Sequence, residues 1–251
     1  MLCPKCSLEQ PDQNAECRRC GIIFEKYFTS ARMRPEENAG TDGAVLIEEC
    51  DDTGLSGRLK EWLFFINPPV NVFFFVGRVM VFLGLFAWSW AFIVTPMNTD
   101  YLGRSFMHCI NLPFHEAGHV IFTPFGRFIQ VLGGTLGQLL MPAICMFTLL
   151  WKTRDPFGAS VGLWWLAQNF MDIAPYINDA RALKLILLGG VTGEDDPTFH
   201  DWHNLLVWTG WLKHDHLIAW ISYGLGMVLM LTALLWGAAV LHGQRKNLER
   251  I

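Results

Sequence analysis

The stretch Pro113-Phe114-His115-Glu116-Ala117-Gly118-His119-Val120-Ile121-Phe122 sets two histidines and a glutamate in a run that is otherwise apolar. On a helix His115 and His119 stand one turn apart on a shared face, so both imidazoles can reach one zinc ion. Glu116 then lies beside the metal without ligating it, placed to take a proton from a water on that metal. Three ionisable side chains in a hydrophobic segment are costly unless they bind something, so a metal-dependent function is the first expectation. The competing reading is a chance match of a five-residue motif, with both histidines satisfied in a core. The apolar setting and a further acidic helix downstream weigh against it.

The chain has 251 residues, 52% of them hydrophobic and only 17% charged, which points to a membrane protein with a small polar appendage. A net charge of −4 with scattered basic residues sets nucleic-acid binding aside. The chain opens on a polar segment, with no pattern of a cleavable signal peptide, so a cytoplasmic N-terminus with reduced thiols is expected.

That segment, residues 1–29, carries Cys3-Pro4-Lys5-Cys6 and Cys17-Arg18-Arg19-Cys20-Gly21. Four thiolates at this spacing close a tetrahedral structural zinc site, and the metal supplies the folding energy that so small a core lacks. A redox dithiol would be a single Cys-x-x-Cys near a βαβ pattern, which is missing. The segment resembles the short zinc ribbons at the ends of many bacterial proteins, and a cytosolic partner is the role expected of it. Residues 30–57 read as a flexible acidic linker, and residues 58–251 as a membrane-embedded domain.

Within that domain, Arg58-Leu59-Lys60-Glu61-Trp62 makes an amphipathic approach to the bilayer, and spans are expected at about 70–94, 106–125, 129–151, 157–177 and 217–241. The segment holding the two histidines is a full span or a re-entrant one, and Pro113 is placed to kink it. His108, seven residues before His115, shares its face, and a supporting or packing role is expected there. Leu132-Gly133-Gly134-Thr135-Leu136-Gly137-Gln138 opens the next span. Its small residues favour close helix packing; the alternative is an extended substrate strand beside the metal, with Gln138 supplying a donor. Arg245 and Lys246 follow the final span and place the tail in the cytosol. Agreement with a cytosolic N-terminus needs an even number of crossings. Five or six spans are expected, and the crossings become even either if 205–212 joins the preceding apolar stretch as a crossing or if one segment is re-entrant.

Two histidines need a third protein ligand, and a carboxylate suits. The span at 157–177 carries Gln168, Asn169 and Asp172, and Asp179 follows two helical turns after Asp172. Both Asp172 and Asp179 are candidates. Asp179 has competing uses as a partner of Arg181 or as a helix cap, whereas Asp172 lies deeper among apolar residues.

His115-Glu116-x-x-His119 in one membrane segment, with Asn169, Pro175 and Asp179 in a later one, resembles the site-two protease type of intramembrane zinc peptidase. In that family a later helix brings an Asn-Pro-rich stretch ending in Leu-Asp-Gly, whose Asp is the third zinc ligand. Here the stretch is Ile177-Asn178-Asp179-Ala180-Arg181, without the Gly, so the third ligand stays open between Asp179 and Asp172. The resemblance covers roughly residues 106–181. It implies an all-α polytopic protein of a bacterial inner membrane that cleaves membrane-spanning or membrane-adjacent peptides.

A second metal-competent cluster, Phe199-His200-Asp201-Trp202-His203-Asn204, ends an acidic loop. A His/Trp-rich stretch here is read first as interfacial, with His200 or Asp201 capping a helix. Its alternative is a role at the metal, with the cluster ligating it or with His200, Asp201 and His203 supporting the site, and Asn169 behind the ligands. His214 and His216 read as solvated. The rival functions are a metal-ion transporter or channel, since intramembrane His and Asp also mark ion pathways, and a catalytically silent scaffold acting through its ribbon. The motif spacing and the lack of repeated halves favour the peptidase.

Overall fold

The computed structural model describes residues 3, 11, 14–18, 22–24, 55–66, 70–97 and 101–248. They belong to two compact units, Met1–Asp52 and Thr53–Ile251. In the first, a small antiparallel bridge pairs Glu16 with Ile23, and Cys3, Cys17 and Phe24 are buried together. Cys6, Cys20 and linker residues 30–54 lie outside the described residues, so the four-cysteine zinc site remains a reading of the sequence, and the last linker residues, 55–57, already belong to a helix.

The second unit is all-helical: α1 Leu55–Leu63, α2 Val72–Val94, α3 Phe106–Ile121, α4 Arg127–Trp151, α5 Pro156–Asn178, α6 Asp201–Trp208 and α7 Asp215–Lys246. Single 3₁₀ turns at Thr123–Phe125, Pro197–Phe199 and Leu212–His214 join them. Sequence chemistry sets several starts. The Asn71 side chain accepts from the Phe73 N–H at 2.9 Å, Ser105 accepts from the His108 N–H, and Pro156 opens α5 where its missing N–H is no loss.

Among the described residues three helices are long and apolar enough to cross a membrane: Val72–Val94, Arg127–Trp151 and Leu212–Lys246, the last including the turn before α7. The five or six spans expected from the sequence reduce to these by length and composition. α3 has 16 residues, too few for a perpendicular span, and α5 is long enough but carries Gln168, Asn169 and Asp172.

α5 tolerates those polar groups because it is the buried helix of the bundle, packed between α4 and α7. Ala159, Ala167, Met171 and Ala174 are fully covered, and small residues bring the helices close. A Cβ on Gly226 of α7 would lie 2.8 Å from the Ala167 carbonyl. α2 is the opposite case. Phe73, Phe74, Met80 and Trp90 are more than 60% exposed, as a lipid-facing helix requires. Its buried face is tied by polar bonds: Trp164 Nε1–H donates to Ser89 Oγ at 2.6 Å, and the Tyr223 hydroxyl reaches the carbonyls of Thr95 and Phe92.

The glycines near the start of α4 serve helix packing, the first of the two readings above. A Cβ at Gly118 of α3 would fall on the Gly133 carbonyl, and one at Gly137 would fall on the Phe114 carbonyl. α3 and α4 therefore touch backbone to backbone. Pro113 lies within α3, which continues through it.

Candidate metal centre

Close contact between α3 and α4 fixes both histidines. His119 Nδ1 lies 2.9 Å from the backbone carbonyl of Gln130, which can only accept, so Nδ1 carries the proton and Nε2 presents its lone pair. His115 Nδ1 makes the matching bond to the Gln138 side-chain oxygen at 2.8 Å. Both Nε2 atoms then face one carboxylate oxygen, Asp201 Oδ2, at 3.0 Å and 3.1 Å. Three electron-rich atoms pointing at one place need a cation between or upon them.

The space they enclose exists because residue 134 has no side chain. A Cβ on Gly134 would stand 2.5 Å from Nε2 of each histidine. Ligand atoms of His115, His119 and Asp201 lie within 4.8 Å of one another, the one such group of three or more among the described residues. Donor identity, tautomers and the Gly134 recess fit a zinc ion held by two imidazoles and a carboxylate.

Asp201 is brought there by the connection after α5. Its backbone N–H donates to the Tyr176 hydroxyl at 2.8 Å. His200, fully buried, caps α6 by accepting from the His203 N–H, and its ring packs on Tyr176 with centroids 4.3 Å apart. His203 Nδ1–H donates to the Ala180 carbonyl at 2.7 Å. Burial alone would raise the Asp201 carboxyl, but whenever the two Nε2 atoms carry protons in place of a metal, their hydrogen bonds outweigh it and hold it at about 2. It stays a carboxylate, the form that binds a cation.

Neither aspartate expected to be the third ligand joins this group. Asp179 ends α5, where its carboxylate accepts from the N–H groups of Lys184 at 3.1 Å and Leu185 at 2.9 Å and lies 3.5 Å from His200 Nε2. It fastens the loop that delivers Asp201. Asp172 lines the cavity but is engaged elsewhere: both its oxygens lie 3.1 Å from His108 Nδ1, and Asn111 Nδ2 donates to it at 3.0 Å. Asn111 is itself held by Gln168 at 2.8 Å and Trp165 at 2.9 Å. His108 is thus engaged with Asp172 rather than with either histidine of the group. Asn169 is buried, donates to the Trp165 carbonyl of its own helix and does not line the cavity.

The metal-ligand group opens into a cavity of about 750 Å³, with Glu116 on its wall beside the histidines. Residues 185–188 and Phe199 supply an apolar side, and Arg104, Arg127 and Lys184 stand among the lining. A cavity of this size falls within the usual range of ligand sites.

Sequence reasoning left the 199–204 cluster between an interfacial role, ligation and support of the site, and the structure sets the Asp201 carboxylate against Nε2 of both histidines. The signal for it was the His200-Asp201-x-His203 cluster. Gly134, the Gln130 carbonyl and Tyr176 had no signal of their own. Comparison with models of protein families, with curated proteins and with solved structures finds no match to this chain.

Proposed function

We propose that the chain is a membrane-embedded zinc metallopeptidase that hydrolyses peptide bonds of membrane-spanning or membrane-adjacent substrates. The observation that carries this reading is the convergence of His115 Nε2, His119 Nε2 and Asp201 Oδ2, with Glu116 beside them on the wall of an open cavity. A zinc ion bound there supplies Lewis acidity, polarising a carbonyl and acidifying water. Glu116 takes the proton of the attacking water and returns it to the departing amine. Gln138 and the Gln130 carbonyl keep both imidazoles in the tautomer that turns Nε2 inward. The apolar wall at 185–188 receives substrate side chains and limits water around the reacting bond. The four-cysteine site at Cys3, Cys6, Cys17 and Cys20 would hold a second, structural zinc, and its partner-binding role stays part of this proposal.

The test separates metal binding from hydrolysis. Purified full-length protein should cleave an unfolded membrane-segment peptide, and Glu116→Gln should retain its zinc while losing at least about a hundredfold in rate. Cleavage that persists in Glu116→Gln at the wild-type rate would remove Glu116 from the chemistry and the peptidase reading with it.

A further inference from the structure

The contacts between helices place each connection at one of two ends of the bundle. At the first end, Arg78 of α2 pairs with Asp155 between α4 and α5 at 3.2 Å. Trp62 of α1 packs on Trp151 at the close of α4, and the Val70 N–H donates to the Asn247 carbonyl just past α7. At the second end, Tyr223 near the start of α7 bonds the close of α2, and Arg181 after α5 pairs with Asp215 at 2.7 Å. α2, α4, α5 and α7 therefore run from end to end. At 1.5 Å per residue the shortest, with 23 residues, spans about 34 Å, enough for a hydrocarbon core of about 30 Å.

α3 does not run from end to end. Tyr101 meets Phe92 with ring centroids 5.6 Å apart, and Phe106 meets Trp88 at 6.4 Å. The chain thus enters α3 only about 9 Å, six residues of helix rise, inside the close of α2. It leaves through the Thr123–Phe125 turn into the start of α4, at the second end again. α6, with 8 residues, also stays at that end.

We propose that the chain crosses the membrane four times, with α3 re-entrant, and that the metal-site cavity opens on the non-cytosolic face. Lys60, Arg78, Lys152, Arg154, Arg245 and Lys246 gather at the first end, in short connections and helix ends. The second end spreads Arg104, Arg127, Arg181, Lys184 and Lys213 over longer loops rich in acidic residues. The positive-inside bias makes the first end cytosolic. The cavity wall at 185–188, Thr198 and Phe199 belongs to the second. Four crossings also return α1 and the end of α7 to one side, the even number that the basic flanks require. The bond offered to Glu116 then lies where a substrate emerges on the non-cytosolic side. This last step rests on the peptidase reading; the topology does not.

The test labels the full-length protein in intact cells with membrane-impermeant reagents and locates the labels by peptide mass, so native cysteines do not interfere. With an amine reagent on the unaltered chain, Lys184 and Lys213 should label from outside, and Lys60, Lys152 and Lys246 only after permeabilisation. With a maleimide, Gly103→Cys and Pro124→Cys, which bracket α3, should both label from outside. An added Cβ at Gly103 meets nothing within 4 Å, so that variant keeps the fold. Labels on Gly103→Cys and Pro124→Cys from opposite faces would make α3 a crossing helix and overturn the four-crossing topology. A reversed lysine pattern would overturn the orientation. Either result would leave zinc binding and peptide cleavage untouched, so failure of the topology is distinguishable from failure of the peptidase reading.

Discussion

His115 and Asp201 stand 86 positions apart in the chain, and Nε2 of the first lies 3.0 Å from Oδ2 of the second. No helix periodicity links them. The approach is made by a loop whose start is pinned by Asp179 and whose end is pinned by His200, Tyr176 and His203. The candidate metal centre therefore combines two histidines held on α3 with one carboxylate carried on a separately fastened element, and each part can be tested on its own.

Gln138 acts on the metal only through His115. Gln138→Leu keeps the shape of the side chain and removes the acceptor that holds the imidazole proton on Nδ1. Zinc affinity, measured by chelator competition, is expected to fall about 10–100-fold, the usual cost of losing a hydrogen bond behind a ligand. Unchanged affinity would mean that helix packing alone orients His115.

Two glycines should fail in different ways. A methyl at Gly134 fills the metal recess, so Gly134→Ala should lose the metal and keep the helices. A methyl at Gly118 collides with the backbone of α4, so Gly118→Ala should cost about 1–3 kcal/mol or more of stability by overpacking. Metal content and thermal unfolding, read on both variants, separate the two.

The loop at 180–200 should have its own pH response. Burial works against ionisation of Asp179, but His200 and the N–H groups of Leu185 and Lys184 outweigh it and hold the carboxyl below its ordinary value. A carboxyl depressed on folding contributes stability that is present above its unfolded value, about 3.9, and lost as pH falls through the folded one. Protection against amide exchange in this loop, taken relative to the intrinsic rate at each pH, should thus hold down to about pH 4 and fall only below it. Asp179→Asn should show fast exchange already at neutral pH. Loosening at pH 5–6 would point to a histidine as the controlling group.

Sequence alone carried the histidine pair, Glu116 and the helical character a long way, because each is encoded within a few residues. Helical spacing put His115 and His119 on one face, and the Gly133–Gly137 stretch announced close packing against α3. The carboxylate that meets the two histidines was not legible, since the His200-Asp201-x-His203 cluster does not by itself rank Asp201 above Asp172 or Asp179. Only the path of the loop decides among them. Asp172 looked like a ligand for a sound reason, a carboxylate deep in an apolar helix, and the need was met instead by His108 and Asn111. The number of spans is hard to read for a similar reason. α5 is too polar for a lone membrane helix, and its polar groups are satisfied only by the neighbours that bury it.

The most direct test is the zinc content of the full-length protein, comparing wild type with Asp201→Ala, Asp172→Ala and Asp179→Ala. Any zinc in the N-terminal cysteines is common to all four and cancels in the differences. Asp201→Ala should hold about one zinc fewer per chain, and the other two variants should match wild type. Equal zinc in all four, or loss confined to Asp172→Ala or Asp179→Ala, would contradict a centre built from His115, His119 and Asp201.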